Sequence, residues 1–201
     1  MNEDHPLLKR AYGLSGKEEA ESLYDEWAGT YDADTVESFG YVAPGHAAER
    51  LAGLVGPEAA VLDAGCGTGL VGAELAARGF TTIDGIDLSQ GMLDVARGKR
   101  VYRELRKADL TEPLPFDDNA YDATICVGTL TEGHVGPEVL DELVRVTRGP
   151  LVVTVLGRIW ESLGYRAYIE GMATARLVEA DEMPYHLEEG LTCRRVVLRA
   201  A

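Results

Sequence analysis

Lysine is scarce in this chain, with only Lys9, Lys17, Lys99 and Lys107 among 201 residues. The 19 basic side chains face 34 acidic ones, a formal net charge of -15. A field of that sign repels phosphodiester backbones and anionic lipid heads, so neither a nucleic acid nor a membrane is an expected partner. A saline cytoplasm and an arginine-favouring genome explain the lysine shortage equally well. The only dense basic run, Arg100, Arg103, Arg106 and Lys107, reads as the solvated face of a strand. Cysteine is also sparse: Cys66, Cys126 and Cys193 are odd in number and none has metal-ligand spacing. Free buried thiols in a reducing, cytoplasmic setting are expected, not a disulfide framework. Asp117 and Asp118 are adjacent but sit in a Pro-bounded loop with no histidine nearby, so no metal is expected. No apolar run is long enough to span a bilayer, and the N-terminal stretch has no signal-peptide character.

What is present is an ordinary globular composition, 46% hydrophobic and 26% charged, which suits one domain with a sizeable core. Residues 1–14 carry little pattern. Ser15 and Glu18 have capping-box spacing ahead of a helix reaching Trp27. A polar-aromatic segment, 30–41, leads to a helix from Pro44 to about Leu54. From there strands alternate with helices. Strands are predicted at 59–64, 80–86, 101–108, 121–127 and 151–156. Helices are predicted at 70–78, at 90–97 with Ser89 as cap, and at 137–147. This alternation predicts right-handed crossovers and a parallel, doubly wound α/β sheet. A helix at 160–170 and two β-prone runs, 173–181 and 191–199, follow. With only a loop between them, the two runs should pair as an antiparallel edge hairpin, for seven strands in all. The chain thus divides into an N-terminal helical lid, 1–55, and a ligand-binding domain, 56–201.

The densest motif is Val61–Gly69, VLDAGCGTG, where a buried strand ends and a helix begins. Alternating Gly65, Gly67 and Gly69 permit a tight turn and let a ligand touch the backbone. The dinucleotide fingerprint needs a third glycine three residues after the second, but Leu70 stands there. No lysine follows, which excludes a Walker loop. Asp63 would repel a pyrophosphate but suits an ammonium group beside a sulfonium, the pair offered by S-adenosylmethionine. Asp87 ends the next strand, eighteen residues after Gly69, where a carboxylate either accepts from both ribose hydroxyls or caps the following helix. Asp109 ends the third strand and is placed to accept the exocyclic amine of adenine. Leu88, Met92 and Leu110 either sandwich the ring or pack the core.

The ordered set VLDAGCGTG, GIDLS, ADL and YDATICVG resembles the class I S-adenosylmethionine-dependent methyltransferases over residues 60–156. The leader YDEWAGTYD, Tyr24–Asp32, is similar to that of small methyltransferases of the Williams–Beuren-region type. The resemblance implies a Rossmann-like sheet and S-adenosyl-L-methionine as cofactor. It implies that Asp63, Gly65 and Gly67, with Ala64 and Cys66 in the same loop, line the methionine moiety. Asp87 would hold the ribose, and Met92 and Asp109 would flank the adenine. Gly128 to Leu130 would approach the sulfonium, and Tyr24, Trp27 and Tyr31 would close over the pocket. The family's frequent Pro-Gly-Gly before the fifth strand is replaced by Arg148-Gly149-Pro150, a shortened turn.

Methyl transfer needs alignment and exclusion of water more than a triad or a metal. His134, just after the fourth strand, is the candidate general base, with Glu132 the weaker alternative; a packing histidine is the competing reading. Tyr24, Trp27, Tyr31, Phe39 and Tyr41 form either a lid with cation–π contact to the sulfonium or an ordinary packing face. Trp160, Tyr165 and Tyr168 line an acceptor pocket or pack the edge hairpin. The expected activity is methylation of a small-molecule acceptor. A non-catalytic cofactor-binding module and an enzyme using the cofactor differently are the competitors, and a nicotinamide oxidoreductase is disfavoured by Asp63 and Leu70.

Overall fold

The computed structural model describes residues 5–14 and 16–201. In chain order the elements are α1 (Pro6–Ala11), α2 (Lys17–Trp27), a π-helical turn (Ala33–Ser38), α3 (Ala43–Ala52), β1 (Val61–Ala64), α4 (Leu70–Ala77), β2 (Ile83–Asp87), α5 (Gln90–Lys99), β3 (Glu104–Lys107), β4 (Ala123–Leu130), α6 (Val139–Arg145), β5 (Pro150–Leu156), α7 (Ile159–Ser162), α8 (Tyr165–Gly171), β6 (Ala175–His186) and β7 (Leu191–Ala200). They build one seven-stranded sheet in the order β3-β2-β1-β4-β5-β7-β6. The first five strands run parallel, and β7 pairs antiparallel with both β5 and β6. Strand order reverses between β1 and β4, which places a crevice at the carboxyl ends of the strands there.

The central strands carry unbroken apolar runs because helices cover both faces. Every residue of β1 and β5 is buried. The outer strand β3 is short and charged, Glu104-Leu105-Arg106-Lys107, and Arg106 pairs with Glu104 along it. Such a strand presents a poor template for edge pairing. Arg103, from the basic run, reaches back to buried Asp84 through two hydrogen bonds. At the other edge, β6 is interrupted by register shifts at Leu177/Glu179 and Pro184/His186.

Two apolar clusters divide the molecule. The large one fills both faces of the sheet and includes α3 through Ala43, Ala47, Ala48 and Leu51. Helix α3, grouped with the lid on sequence grounds, therefore packs as part of the sheet domain. The small cluster joins α1, α2 and the segment behind them through Leu8, Ala11, Leu14, Ala20, Leu23, Trp27 and Phe39.

Several boundaries shift from the sequence expectation. The expected cap Ser15 lies outside the described residues, and Gly16 occupies the N-cap of α2. Helix 160–170 is two helices, split at Gly164 with φ of 73°, a conformation that stops a right-handed helix. Strand β4 runs three residues past Val127 through a bulge between Cys126 and Leu130. Strand β6 continues to His186 because the 39–42 segment lies along it, with Val42 N–H donating to the Tyr185 carbonyl and Leu187 N–H to that of Gly40. The shortened turn at Arg148–Pro150 starts β5 cleanly, and a Cβ at Gly149 would strike the Asp122 carbonyl. No described helix is long and apolar enough to cross a membrane.

Candidate active site

The glycine-rich segment folds over the end of β2. Gly65 and Cys66 N–H groups both donate to the Ile86 carbonyl, at 2.8 and 2.9 Å. Gly65 and Gly67 have φ of 70° and 53°. A Cβ at Gly65 would collide with the Thr129 hydroxyl, so the residue keeps β4 close. A Cβ at Gly67 would meet nothing within 4 Å, because that face is the open wall of a cavity.

Asp87 ties this loop to the sheet. Its carboxylate accepts from Gly67 N–H at 2.8 Å and from Ser89 N–H at 2.9 Å. The helix-capping role that competed for Asp87 belongs to Ser89, whose Oγ accepts from Met92 N–H. Burial raises the Asp87 pKa, opposed by those backbone donors. The carboxylate lines the cavity and has lone pairs left for a diol.

Asp63 sits deeper, fully buried behind the loop and away from the cavity wall. One oxygen accepts from the Tyr102 hydroxyl at 2.6 Å, while Oδ1 has no hydrogen-bond partner among the described residues. Burial pushes this carboxyl up to about 7. Tyr102 reaches it through a slot in which a Cβ at Gly69, Gly72 or Gly85 would touch its ring. The sequence reading did not single out Tyr102; the glycines that clear its path were the available signal.

The cavity holds about 820 Å³ of empty space including its mouth. It is lined by eleven residues expected on sequence grounds: Tyr24, Tyr31, Gly65, Gly67, Asp87, Leu88, Met92, Asp109, Leu110, Gly128 and His134. Ala64, Cys66 and Trp27 lie outside the lining. Trp27 is buried in the small cluster, with Nε1 donating to Asp34 at 2.7 Å and its ring centroid 4.9 Å from that of Tyr31. It supports the roof from behind. Asp109 spends one oxygen on the Thr111 hydroxyl and N–H, and the other on Lys17 at 3.1 Å. Thr129, within the expected 128–130 stretch, also lines it, and Lys17, Ala20, Ala108, Thr111, Val127 and Val135 complete the lining and were not foreseen. Trp160, Tyr165 and Tyr168 pack elsewhere: Tyr165 donates to the Val135 carbonyl, and Tyr168 to Asp141.

Over the mouth, α2 presents Ala20 and Tyr24, and Tyr31 follows from the next turn. The Tyr24 hydroxyl lies 2.7 Å from His134 Nε2. His134 Nδ1 faces the Glu132 carbonyl at 2.9 Å and the Thr131 hydroxyl at 2.8 Å. Burial lowers the His134 pKa, so the ring is neutral near pH 7. Glu132, the weaker base candidate, is engaged with Arg158 at 2.6 Å. Gly128, at the β4 bulge with φ of 80°, would drive a Cβ into the Tyr41 hydroxyl.

This donor set fits S-adenosylmethionine. Among the described residues the polar lining consists of the Asp87 and Asp109 carboxylates, hydroxyls, His134 and backbone atoms, and the one lysine there, Lys17, is neutralised by Asp109. That is a site for a cationic nucleoside, and a poor one for a pyrophosphate.

Comparison with known proteins agrees. Residues 61–149 match a family model described as a methyltransferase domain. The chain is 37% identical over 167 residues to human methyltransferase-like protein 27, covering 81% of this chain and 68% of that protein. It is 34% identical over 192 residues to a demethylmenaquinone methyltransferase of Clavibacter sepedonicus, covering 85% and 74% of the two chains. Among solved structures, the [4+2]-cyclase SpnF aligns with a TM-score of 0.70 at 16% identity, over 92% of this chain and 96% of that one. Magnesium protoporphyrin IX methyltransferase from Synechocystis with bound S-adenosylmethionine aligns at 0.59 and 20% identity, over 77% and 80%. At those identities the structures speak for the fold, and the two sequence relatives carry the family. With a glycine-rich loop bonded to a strand-end carboxylate at the cavity wall, and with these relatives, the chain belongs to the class I S-adenosylmethionine-dependent methyltransferases.

Proposed function

We propose that this protein methylates a small-molecule acceptor that enters beneath the helical roof. The observation that supports this most directly is the closure of the cavity by Tyr24, Tyr31 and His134, which leaves little room for a macromolecular surface to approach. The charge of -15 points the same way, since it opposes a phosphodiester substrate. The relatives' names divide: demethylmenaquinone methyltransferase names a small acceptor, while the bovine 18S rRNA (guanine-N(7))-methyltransferase matches over only 70 residues.

The residues would act as follows. Gly65 and Gly67 border the amino-acid end of the cofactor, with Asp63 acting on it only from behind the loop, Asp87 holds its ribose, and Leu88, Met92, Asp109 and Leu110 its base. Gly128 leaves space beside the sulfonium. When bound, S-adenosylmethionine supplies a methyl group on a good neutral leaving group. The chain's own tasks are to align the acceptor and exclude water, worth roughly 7–11 kcal/mol in well-oriented pairs. Residues 5–42 serve as the lid. The three buried thiols are consistent with a reducing cytoplasm.

The test is calorimetric titration with S-adenosylmethionine, S-adenosylhomocysteine and NAD, followed by transfer of a labelled methyl group into a cell extract separated into small-molecule and RNA fractions. Binding of the first two ligands, none of NAD, and label in the small-molecule fraction are expected. Label confined to RNA would overturn the acceptor class, and absence of binding would overturn the cofactor site.

A further inference from the structure

The hydrogen bonds of His134 determine which way protons can move at the roof of the cavity. A carbonyl oxygen only accepts, so the 2.9 Å contact to Glu132 favours the tautomer with its hydrogen on Nδ1, in which the Thr131 hydroxyl, 2.8 Å from the same nitrogen, is an acceptor. Nε2 is therefore a bare acceptor, and the group 2.7 Å away, the Tyr24 hydroxyl, donates to it. Two consequences follow. His134 cannot take a proton from an acceptor directly, because Tyr24 occupies its only free lone pair. Tyr24, with its hydrogen committed to Nε2, offers the cavity only lone pairs.

We propose that Tyr24 and His134 form a proton relay, and that the relay selects acceptors whose nucleophilic atom carries a hydrogen: a hydroxyl, thiol or amine, and not a carboxylate or a tertiary amine. This rests on the methyltransferase reading and names the acceptor class within it. As the acceptor atom X bonds to the methyl carbon and the carbon–sulfur bond breaks, its electron pair staying on sulfur to leave a neutral thioether, the X–H proton passes to Tyr24 Oη while Tyr24's own proton passes to His134 Nε2. The positive charge brought in with the methyl donor ends on the imidazolium, so charge balances without an external base. Tyr24 is the group that would touch the acceptor, and His134 acts through it as a positioning residue and proton store.

The surroundings suit this. Around Tyr24 lie Tyr12, Tyr31, Tyr185 and the Asp87 carboxylate, whose negative charge favours a cation nearby. The hydroxyl of Tyr12 is buried without a hydrogen-bond partner among the described residues. From the loop of His134 itself come Thr131 and Glu132, the latter neutralised by Arg158. Burial holds the imidazole below its ordinary pKa, so it is unprotonated and ready at neutral pH.

The experiment combines ¹⁵N spectra of the histidine-labelled full chain, saturated with S-adenosylhomocysteine, and methyl transfer to matched probes. In the spectra, His134 should show a protonated Nδ1 and an unprotonated Nε2. Tyr24→Phe should shift the Nε2 signal and raise the pH at which the ring titrates. An Nε2-protonated ring overturns the relay whatever the activity. The probes are phenol, thiophenol and aniline against benzoate and N,N-dimethylaniline. Transfer only to the first three is expected, falling tenfold or more in His134→Gln and losing its rise with pH through the histidine titration. S-adenosylhomocysteine affinity should stay within threefold in that variant. Transfer to benzoate or dimethylaniline, transfer untouched by His134→Gln, or no transfer to any probe from a cofactor-saturated enzyme overturns the proposal. Failure to bind S-adenosylhomocysteine would instead indict the cofactor reading.

Discussion

The roof and the sheet that it covers are held together by different physics. The sheet domain is a continuous apolar mass in which β1, β4, β5 and β7 contribute side chains with almost no exposure. The roof has a small apolar cluster of its own, and its seam to the sheet is largely polar. Lys17, Glu21 and Asp25 recur every four residues on one stripe of α2, and each grips the body. Lys17 pairs with Asp109, Glu21 with Lys107, and Asp25 accepts from the Ser89 hydroxyl and Gly91 N–H. Asp32 adds Lys99 and the Thr68 hydroxyl. Apolar burial is non-directional and cooperative, whereas such pairs are each worth little and release one by one. A body built to persist and a roof built to open are the expected result.

The largest expected effect tests whether the two regions are separable. Trp27→Ala empties the centre of the small cluster, a change that costs about 3–5 kcal/mol when a Trp is fully buried. Hydrogen exchange should show amides of α1 and α2 losing protection while β1, β4 and β5 keep theirs. Equal loss across the sheet would mean one cooperative unit and would end the comparison. Next in size is a change inside the body. Asp63 is raised to about 7 by burial, so the folded state holds a proton that the unfolded chain, with an ordinary carboxyl, releases near pH 4. Stability from this group is therefore greatest in acid and is lost as pH climbs from about 4 to 7. Asp63→Asn should raise the melting temperature at pH 8 by a few degrees, roughly 2–4 °C per kcal/mol for a chain of this size, with no gain at pH 4. Cofactor affinity should fall at the same time. An equal melting shift at both pH values would show that the carboxyl is not the destabilised group.

The same contrast explains how far the sequence could be read. The centre of the sheet was legible because β1, β2, β4 and β5 are buried, mostly apolar runs, and α4 has a local stop in Gly79, whose φ is 92°. Gly65, Gly67, Asp87 and Met92 were legible because motif and position coincide with the strand ends. The seam was not. Nothing local marks Lys17 as the partner of Asp109, 92 residues away, or Asp32 as that of Lys99 and Thr68. Tyr102 was hidden for the same reason, since its slot is cut by glycines of α4 and its cap together with one from β2. Trp27 was placed over the pocket because the resemblance of the leader implied it; the structure turns it inward, where its indole N–H finds Asp34. A shared motif marks the segment that covers a ligand but not which of its side chains face it.

Asp25 sharpens the comparison at a single side chain. It bonds two donors at the start of α5, and those bonds hold its pKa below the ordinary carboxylate range. Asp25→Ala leaves both donors near water, so the loss should stay close to about 1–3 kcal/mol, the usual range for hydrogen bonds to a charged group. S-adenosylhomocysteine should dissociate faster from this variant with its association rate little changed, as read by stopped-flow fluorescence of the roof tryptophan. A slower association instead would place Asp25 on the entry path and not on the seam.

The smallest effect belongs to salt. Lys17 and Asp109, Glu21 and Lys107, and Asp32 and Lys99 are all partly exposed, so added ions screen them. Pairs of this kind contribute about 0–1 kcal/mol each. Raising ionic strength from about 0.15 M, where the Debye length is already about 8 Å, to molar should therefore weaken cofactor binding only severalfold. The body, held by apolar burial, should keep or slightly raise its melting temperature under the same change if the salt is a sulfate. Opposite responses of binding and melting to one variable cannot come from a uniformly stabilised fold. Two outcomes would contradict the polar seam: affinity that rises with salt, or a melting temperature that falls along with it. A net charge of -15 works in the other direction at low salt, because self-repulsion loosens the whole molecule. The prediction is thus confined to ionic strengths above the point where general screening saturates, and there the seam alone is left to respond.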